Sequence, residues 1–143
     1  MPGPSLTRHV VVDANVLVSF FVERNEKQRI AGKTLLLSAE EGEIIAVIPQ
    51  FVLFEIAYVL DSFYRIPPPK IAGAIRATLT YPGVIITDGC SWNRILDNWP
   101  DPLASIPDAA IVGVALANKH DSIATFDQKL IRRMKTLGVR SYF

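Results

Sequence analysis

Short β-branched runs alternate with longer segments of helical periodicity along most of the chain. The first run, His9-Val10-Val11-Val12, is followed at once by Asp13-Ala14-Asn15. A run so apolar reads as a strand buried on both faces of a sheet. The spacing then predicts a helix over Arg29–Glu41, a strand over Glu43–Ile48, and a helix over Pro49–Tyr64 whose proline suits a first turn. Pro67-Pro68-Pro69 interrupts the chain before a helix over Lys70–Leu79, and Gly83–Thr87 reads as a third strand. A short helix over Cys90–Asn98 and a proline-rich connection over Trp99–Pro107 follow. The last third predicts a helix over Pro107–Lys119, a strand over Ser122–Thr125, a helix over Asp127–Leu137 and a fifth, edge strand over Val139–Phe143. Strand and helix in alternation imply βαβ units with right-handed crossovers and a parallel sheet covered by helices on both faces. Ligands in such folds bind at the carboxyl ends of the strands, where strand order reverses. The residues just after each strand are therefore the informative ones.

Those positions carry acids. Asp13 follows the first strand and Asp127 the fourth, Asp108 opens the next-to-last helix, and Glu55 sits inside the helix after the second strand. Asp13 and Asp127 are also placed to cap the helices they precede. Asp108, three residues after Ser105, fits half of a capping box or a favourable charge at a helix N-terminus. Glu55 is less easily explained in this way. Its segment, Phe51 to Leu60, is apolar nearly all round, so a carboxylate there needs a charged or hydrogen-bonding partner. A buried arginine is one candidate, and a cation shared with the other carboxylates accounts for all four acids together. The continuation of the Asp108 helix, Ala109 to Ala117, is built of small and β-branched residues that let it lie close to the sheet.

Strand-Asp13-Ala14-Asn15, Phe54-Glu55, Ile106-Pro107-Asp108-Ala109-Ala110-Ile111 and Ile123-Ala124-Thr125-Phe126-Asp127 together resemble the PIN-domain family, particularly the VapC-type toxin ribonucleases. The resemblance spans about Arg8 to Phe143. It implies a three-layer α/β/α sandwich with a central parallel sheet, and a divalent-metal-dependent nuclease acting on RNA, commonly a homodimer. Asp13, Glu55, Asp108 and Asp127 match the family's acidic positions, and Asn15 and Thr125 match polar positions that support them. A cognate antitoxin that blocks the cleft is implied as well. Residues 1–7 fall outside the motif as a polar, proline-containing lead expected to be disordered, with a single domain over 8–143.

The chemistry follows from the donor set. Four carboxylates in one cleft raise one another's pKa values, and a hard cation removes the conflict. Oxygen-only ligands favour Mg²⁺ or Mn²⁺ over zinc. Such an ion lowers the pKa of water for in-line attack on phosphorus and stabilises the leaving 3′ oxygen. On this reading Asp13 and Asp108 are primary ligands, Asp127 binds a second metal or acts through water, and Glu55 is a ligand or water-orienting base. His9 and His120 fall at the amino ends of their strands, away from the acids. The expectation is hydrolysis to 5′-phosphate and 3′-hydroxyl ends without attack by the RNA 2′ hydroxyl.

Composition sharpens this picture. The chain has 143 residues, half of them hydrophobic, and a single cysteine, Cys90. No disulfide framework or cysteine zinc site is possible, which suits a reduced, cytoplasmic protein. No apolar run approaches the ~18 residues of a membrane span, and the first residues do not form a signal peptide. The net charge of +1 comes from 15 Lys and Arg against 14 Asp and Glu. Setting the four site acids aside leaves ten acids, so the remainder carries +5 around a centre of −4. A basic exterior suits an RNA partner. Lys129, Arg132 and Arg133 form the best basic segment, either a solvated helix face or a surface steering phosphates toward the acids. Trp92 and Trp99 are placed either to stack unpaired bases or to pack in a core or dimer interface.

Competing phosphotransfer folds are less well matched. A haloacid-dehalogenase phosphatase needs a second Asp where Asn15 stands. A receiver domain needs paired acids after the first strand and a lysine after its last. No glycine-rich nucleotide cradle is present. Within the resemblance, two alternatives to a toxin are an RNA-processing nuclease without an antitoxin and a non-catalytic RNA- or protein-binding module.

Overall fold

The structure is a computed structural model that describes residues 7–120 and 122–143. The disordered lead expected over 1–7 therefore falls, apart from Thr7, outside the described residues. The elements run β1 (Arg8–Val12), α1 (Ala14–Phe21), α2 (Glu26–Glu40), β2 (Ile44–Pro49), α3 (Gln50–Ser62), α4 (Pro68–Thr80), β3 (Val84–Thr87), α5 (Trp92–Asn98), α6 (Ile106–Asn118), β4 (Ser122–Ala124) and α7 (Gln128–Thr136). The four strands are all parallel, in the order β3-β2-β1-β4. Helices α1 to α4 pack among themselves and α5 packs on α6. Right-handed crossovers put these two groups on opposite faces of the sheet, which gives the expected three-layer α/β/α sandwich.

The chain moves outward from β1 through β2 to β3, then returns to place β4 on the other side of β1. Strand order thus reverses between β1 and β4. The Asp13 backbone N–H closes this seam by donating to the Ala124 carbonyl at 2.9 Å. The strands are buried as their composition requires: Val11, Val12, Ala46, Val47, Ile48, Ile123 and Ala124 have no exposed surface.

Several expectations are revised. Helix α1 is not marked in the sequence, because Ala14 to Phe21 is rich in β-branched and aromatic residues and runs on from the preceding apolar strand. Pro49 closes β2 and acts as N-cap of α3; it does not occupy the first turn. The short fifth helix starts at Trp92, two residues later than expected, because Ser91 caps it. The fifth strand reduces to an isolated parallel bridge between Ile123 and Ser141. Among the described residues, no helix is long and apolar enough to cross a membrane.

Candidate active site

Asp13, almost fully buried, leaves β1 at the seam and caps α1. Its Oδ1 accepts from the Ala14 N–H at 2.8 Å, and its Oδ2 accepts from the Thr125 hydroxyl at 2.8 Å and from Asn15 Nδ2 at 3.2 Å. Thr125 is wholly buried at the end of β4. Its hydroxyl donates to Asp13 and accepts from Asn15 Nδ2 (3.0 Å) and from the Asp127 N–H (3.2 Å), which uses its one donor and both lone pairs. Asn15 completes the link by accepting from the Phe126 N–H at 3.0 Å. The ends of β1 and β4 are thus fastened by side chains as well as by the ladder.

The other acids arrive from separate elements. Glu55 projects from the middle of α3. Asp108 lies in the first turn of α6, where the Ser105 hydroxyl accepts from the Asp108 N–H at 3.4 Å. Asp127 caps α7 through Oδ1, which accepts from the Lys129 and Leu130 N–H groups at 3.0 and 3.2 Å. Capping and convergence are therefore compatible: Asp13 and Asp127 cap helices and also line one cleft with Glu55 and Asp108. The cleft has a volume of about 500 Å³.

Its electrostatics are strained. Burial raises the Glu55 pKa to about 7, with further contributions from Asp13 and Asp108. Burial likewise raises Asp108 to about 6, assisted by Asp13 and Asp127 and partly offset by Lys129. Asp13 is raised chiefly by burial, against the hydrogen bonds from Thr125, Ala14 and Asn15. The all-oxygen donor set and this mutual repulsion fit a hard divalent cation. Among the described residues the four acids line one cleft, but no three His, Cys, Asp or Glu side chains stand close enough together to hold a metal ion as they are.

The remaining sequence-predicted residues are distributed differently. Lys129 is near enough to Asp108 for its charge to act there. Arg132 lines a separate groove with Lys135 and Arg140, and neither Arg132 nor Arg133 lines the acidic cleft. Trp99 packs against the core and donates its indole N–H to the Ala104 carbonyl at 3.1 Å. Trp92 is 59% exposed and lines a small apolar pocket with Phe51, Glu55 and Pro107. His9 and His120 stack at a centroid distance of 5.7 Å, and neither lines the cleft.

Two cleft residues were not anticipated. Arg24 and Tyr64 line it together, with Arg24 Nη1 donating to the Tyr64 hydroxyl at 2.6 Å. Both lie in turns, so no periodic pattern marks them; recognising α1 would have placed Arg24 at its far end, above the strand ends.

A PIN-domain family model matches residues 10–136. The chain belongs to the PIN-domain family. Its match includes all four acids and the supporting Asn15 and Thr125. Among solved structures, this PIN domain is similar to VapC20 of Mycobacterium tuberculosis, a toxin that cleaves the sarcin-ricin loop. The TM-score is 0.64 at 16% identity, covering 87% of this chain and 94% of VapC20. At that identity the likeness is one of fold. No curated protein matches the chain in the sequence comparison.

Proposed function

We propose that this PIN domain is a metal-dependent endoribonuclease, the toxin of a type II toxin-antitoxin pair. The observation that carries the reading is the convergence of Asp13, Glu55, Asp108 and Asp127 in one cleft at the strand-order reversal. Membership of the PIN-domain family and the fold shared with VapC20 support it.

Asp13 and Asp108 would hold the Mg²⁺ or Mn²⁺ ion, with Asp127 binding a second ion or acting through water. The ion supplies positive charge to the phosphate and acidity to water at neutral pH. Asn15 and Thr125 hold the Asp13 carboxylate in place, so the site does not reorganise as charge develops on phosphorus. Glu55, as a further ligand or as the base that orients the attacking water, completes the acidic set. Lys129, beside Asp108, steers the RNA backbone.

As partners we propose RNA, an antitoxin that covers the cleft, and a second copy of the chain, in the cytoplasm. Phe54 and Tyr58, one turn apart on α3, are 75% and 70% exposed and support a homodimer.

The test incubates the protein with single-stranded and structured RNA in Mg²⁺ or Mn²⁺, with chelator, and with Asp13→Asn. Metal-dependent cleavage leaving 5′-phosphate ends is expected. Cleavage that survives the chelator or the substitution overturns the reading, as would 2′,3′-cyclic phosphate ends. RNA that binds but is never cut would favour a non-catalytic module, and activity with no antitoxin-like neighbouring gene an RNA-processing role.

A further inference from the structure

Among the described residues lining the acidic cleft, Arg24 is the only Lys, Arg or His. An arginine beside carboxylates would ordinarily pair with one. Here it does not: the one ion pair among the described residues joins Arg29 to Glu26. The charges acting on Asp13, Glu55 and Asp108 likewise do not include Arg24. The guanidinium shares the cleft with the acids but stands clear of them, held by a neutral phenol.

Arg24 is exposed, and the turn that carries it is fixed by hydrogen bonds. Arg24 lies in the turn between α1 and α2, where its N–H donates to the Val22 carbonyl at 2.9 Å. The next residue, Asn25, caps α2 by accepting from the Gln28 N–H at 3.0 Å. The Ser19 hydroxyl shares its one proton between the Asn15 carbonyl of its own helix at 2.8 Å and Gln28 Oε1 of α2 at 3.3 Å, which joins α1 to α2. Tyr64 is half-buried against the core and fixes one Nη of the arginine. The other guanidinium N–H groups, together with the phenol proton, present donors only. A rigid, donor-only fork of positive charge matches a phosphodiester in geometry and sign.

We propose that Arg24, positioned by Tyr64, binds a backbone phosphate of the RNA strand adjacent to the one that is cut. The inference rests on the nuclease reading and deepens it. Because Arg24 lines the same cleft as the carboxylates, a phosphate held there fixes the register of the strand against them. Arg24 contacts substrate, whereas Tyr64 is a positioning residue.

The experiment measures binding of a short, fluorescently labelled single-stranded RNA to the full chain in Mg²⁺ buffer across a series of salt concentrations. All variants carry Asp13→Asn, so that RNA is not consumed. Removing one phosphate contact on a single strand flattens the slope of log K against log salt by about 0.7. Arg24→Gln should show that loss and bind several-fold more weakly at low salt, with an unchanged melting temperature. Arg24→Lys should keep the slope. Tyr64→Phe should also keep it while weakening binding about two- to threefold, the modest effect of losing one hydrogen bond. Arg76→Gln, on exposed α4, controls for general charge and should change nothing. An unchanged slope in Arg24→Gln, or an equal loss in Arg76→Gln, overturns the proposal. The unsubstituted chain, assayed alongside for metal-dependent RNA cleavage, separates the two failures: no cleavage overturns the nuclease reading, whereas cleavage with an unchanged slope in Arg24→Gln overturns this inference alone.

Discussion

The Thr125 hydroxyl shows how much one atom can organise. It joins two acids and an amide across the β1–β4 seam, and no part of its hydrogen-bonding capacity is left over. Thr125→Val keeps the shape but leaves the Asp13 carboxylate and the Asp127 N–H each short of a partner. We expect a loss of about 1–3 kcal/mol in stability, read by denaturant unfolding, with Thr125→Ser close to the parent. Cleavage should fall in Thr125→Val more than stability accounts for, because Asp13 loses its orientation. The sequence placed Thr125 beside the acids, and Asn15 with it. It could not show that the same hydroxyl meets Asp13 and Asp127, since that depends on which strands are neighbours.

At the scale of elements, caps and turns aim the site. Ser105 starts α6 so that Asp108 faces the cleft, and Asp127 starts α7 while keeping its place there. The turn before β3 depends on Gly83, whose φ is +80° and whose missing Cβ would stand 2.1 Å from the Ala39 carbonyl oxygen. Left-handed strain and a displaced backbone together should make Gly83→Ala cost about 2–4 kcal/mol in denaturant unfolding. Most elements were legible because strand and helix differ in both period and length. Helix α1 was not, since an apolar strand runs into an apolar helix with only Asp13 between them. Val139–Phe143 reads as an edge strand, but only Ser141 pairs with β4. Arg24 and Tyr64 were invisible for a related reason, because they meet across 40 residues of sequence through turns.

Across the whole molecule, the buried acids of the cleft set the pH response. Glu55 is raised from 4.5 to about 7 and Asp108 from 3.8 to about 6, so folding disfavours their ionised forms. The penalty vanishes only well below the unfolded values of 3.8 and 4.5, where both groups are protonated folded or unfolded. It grows between pH 4 and 7, where the unfolded chain binds fewer protons, and is complete above that. The metal-free protein should therefore melt at a higher temperature at pH 5 than at pH 8, on account of these groups. Added Mg²⁺ should raise the melting temperature clearly at pH 8 and little at pH 5, a difference that scanning fluorimetry reads directly. Equal shifts at both pH values would count against a carboxylate ion site. The seam between β1 and β4 has a dynamic consequence as well. The Asp13 amide is bonded to Ala124 between buried residues of β1 and β4, so its hydrogen should exchange with solvent only when the whole domain opens. The carboxylate would then have no local route to disorder, and on heating the loss of cleavage and the loss of helical circular dichroism should follow one curve.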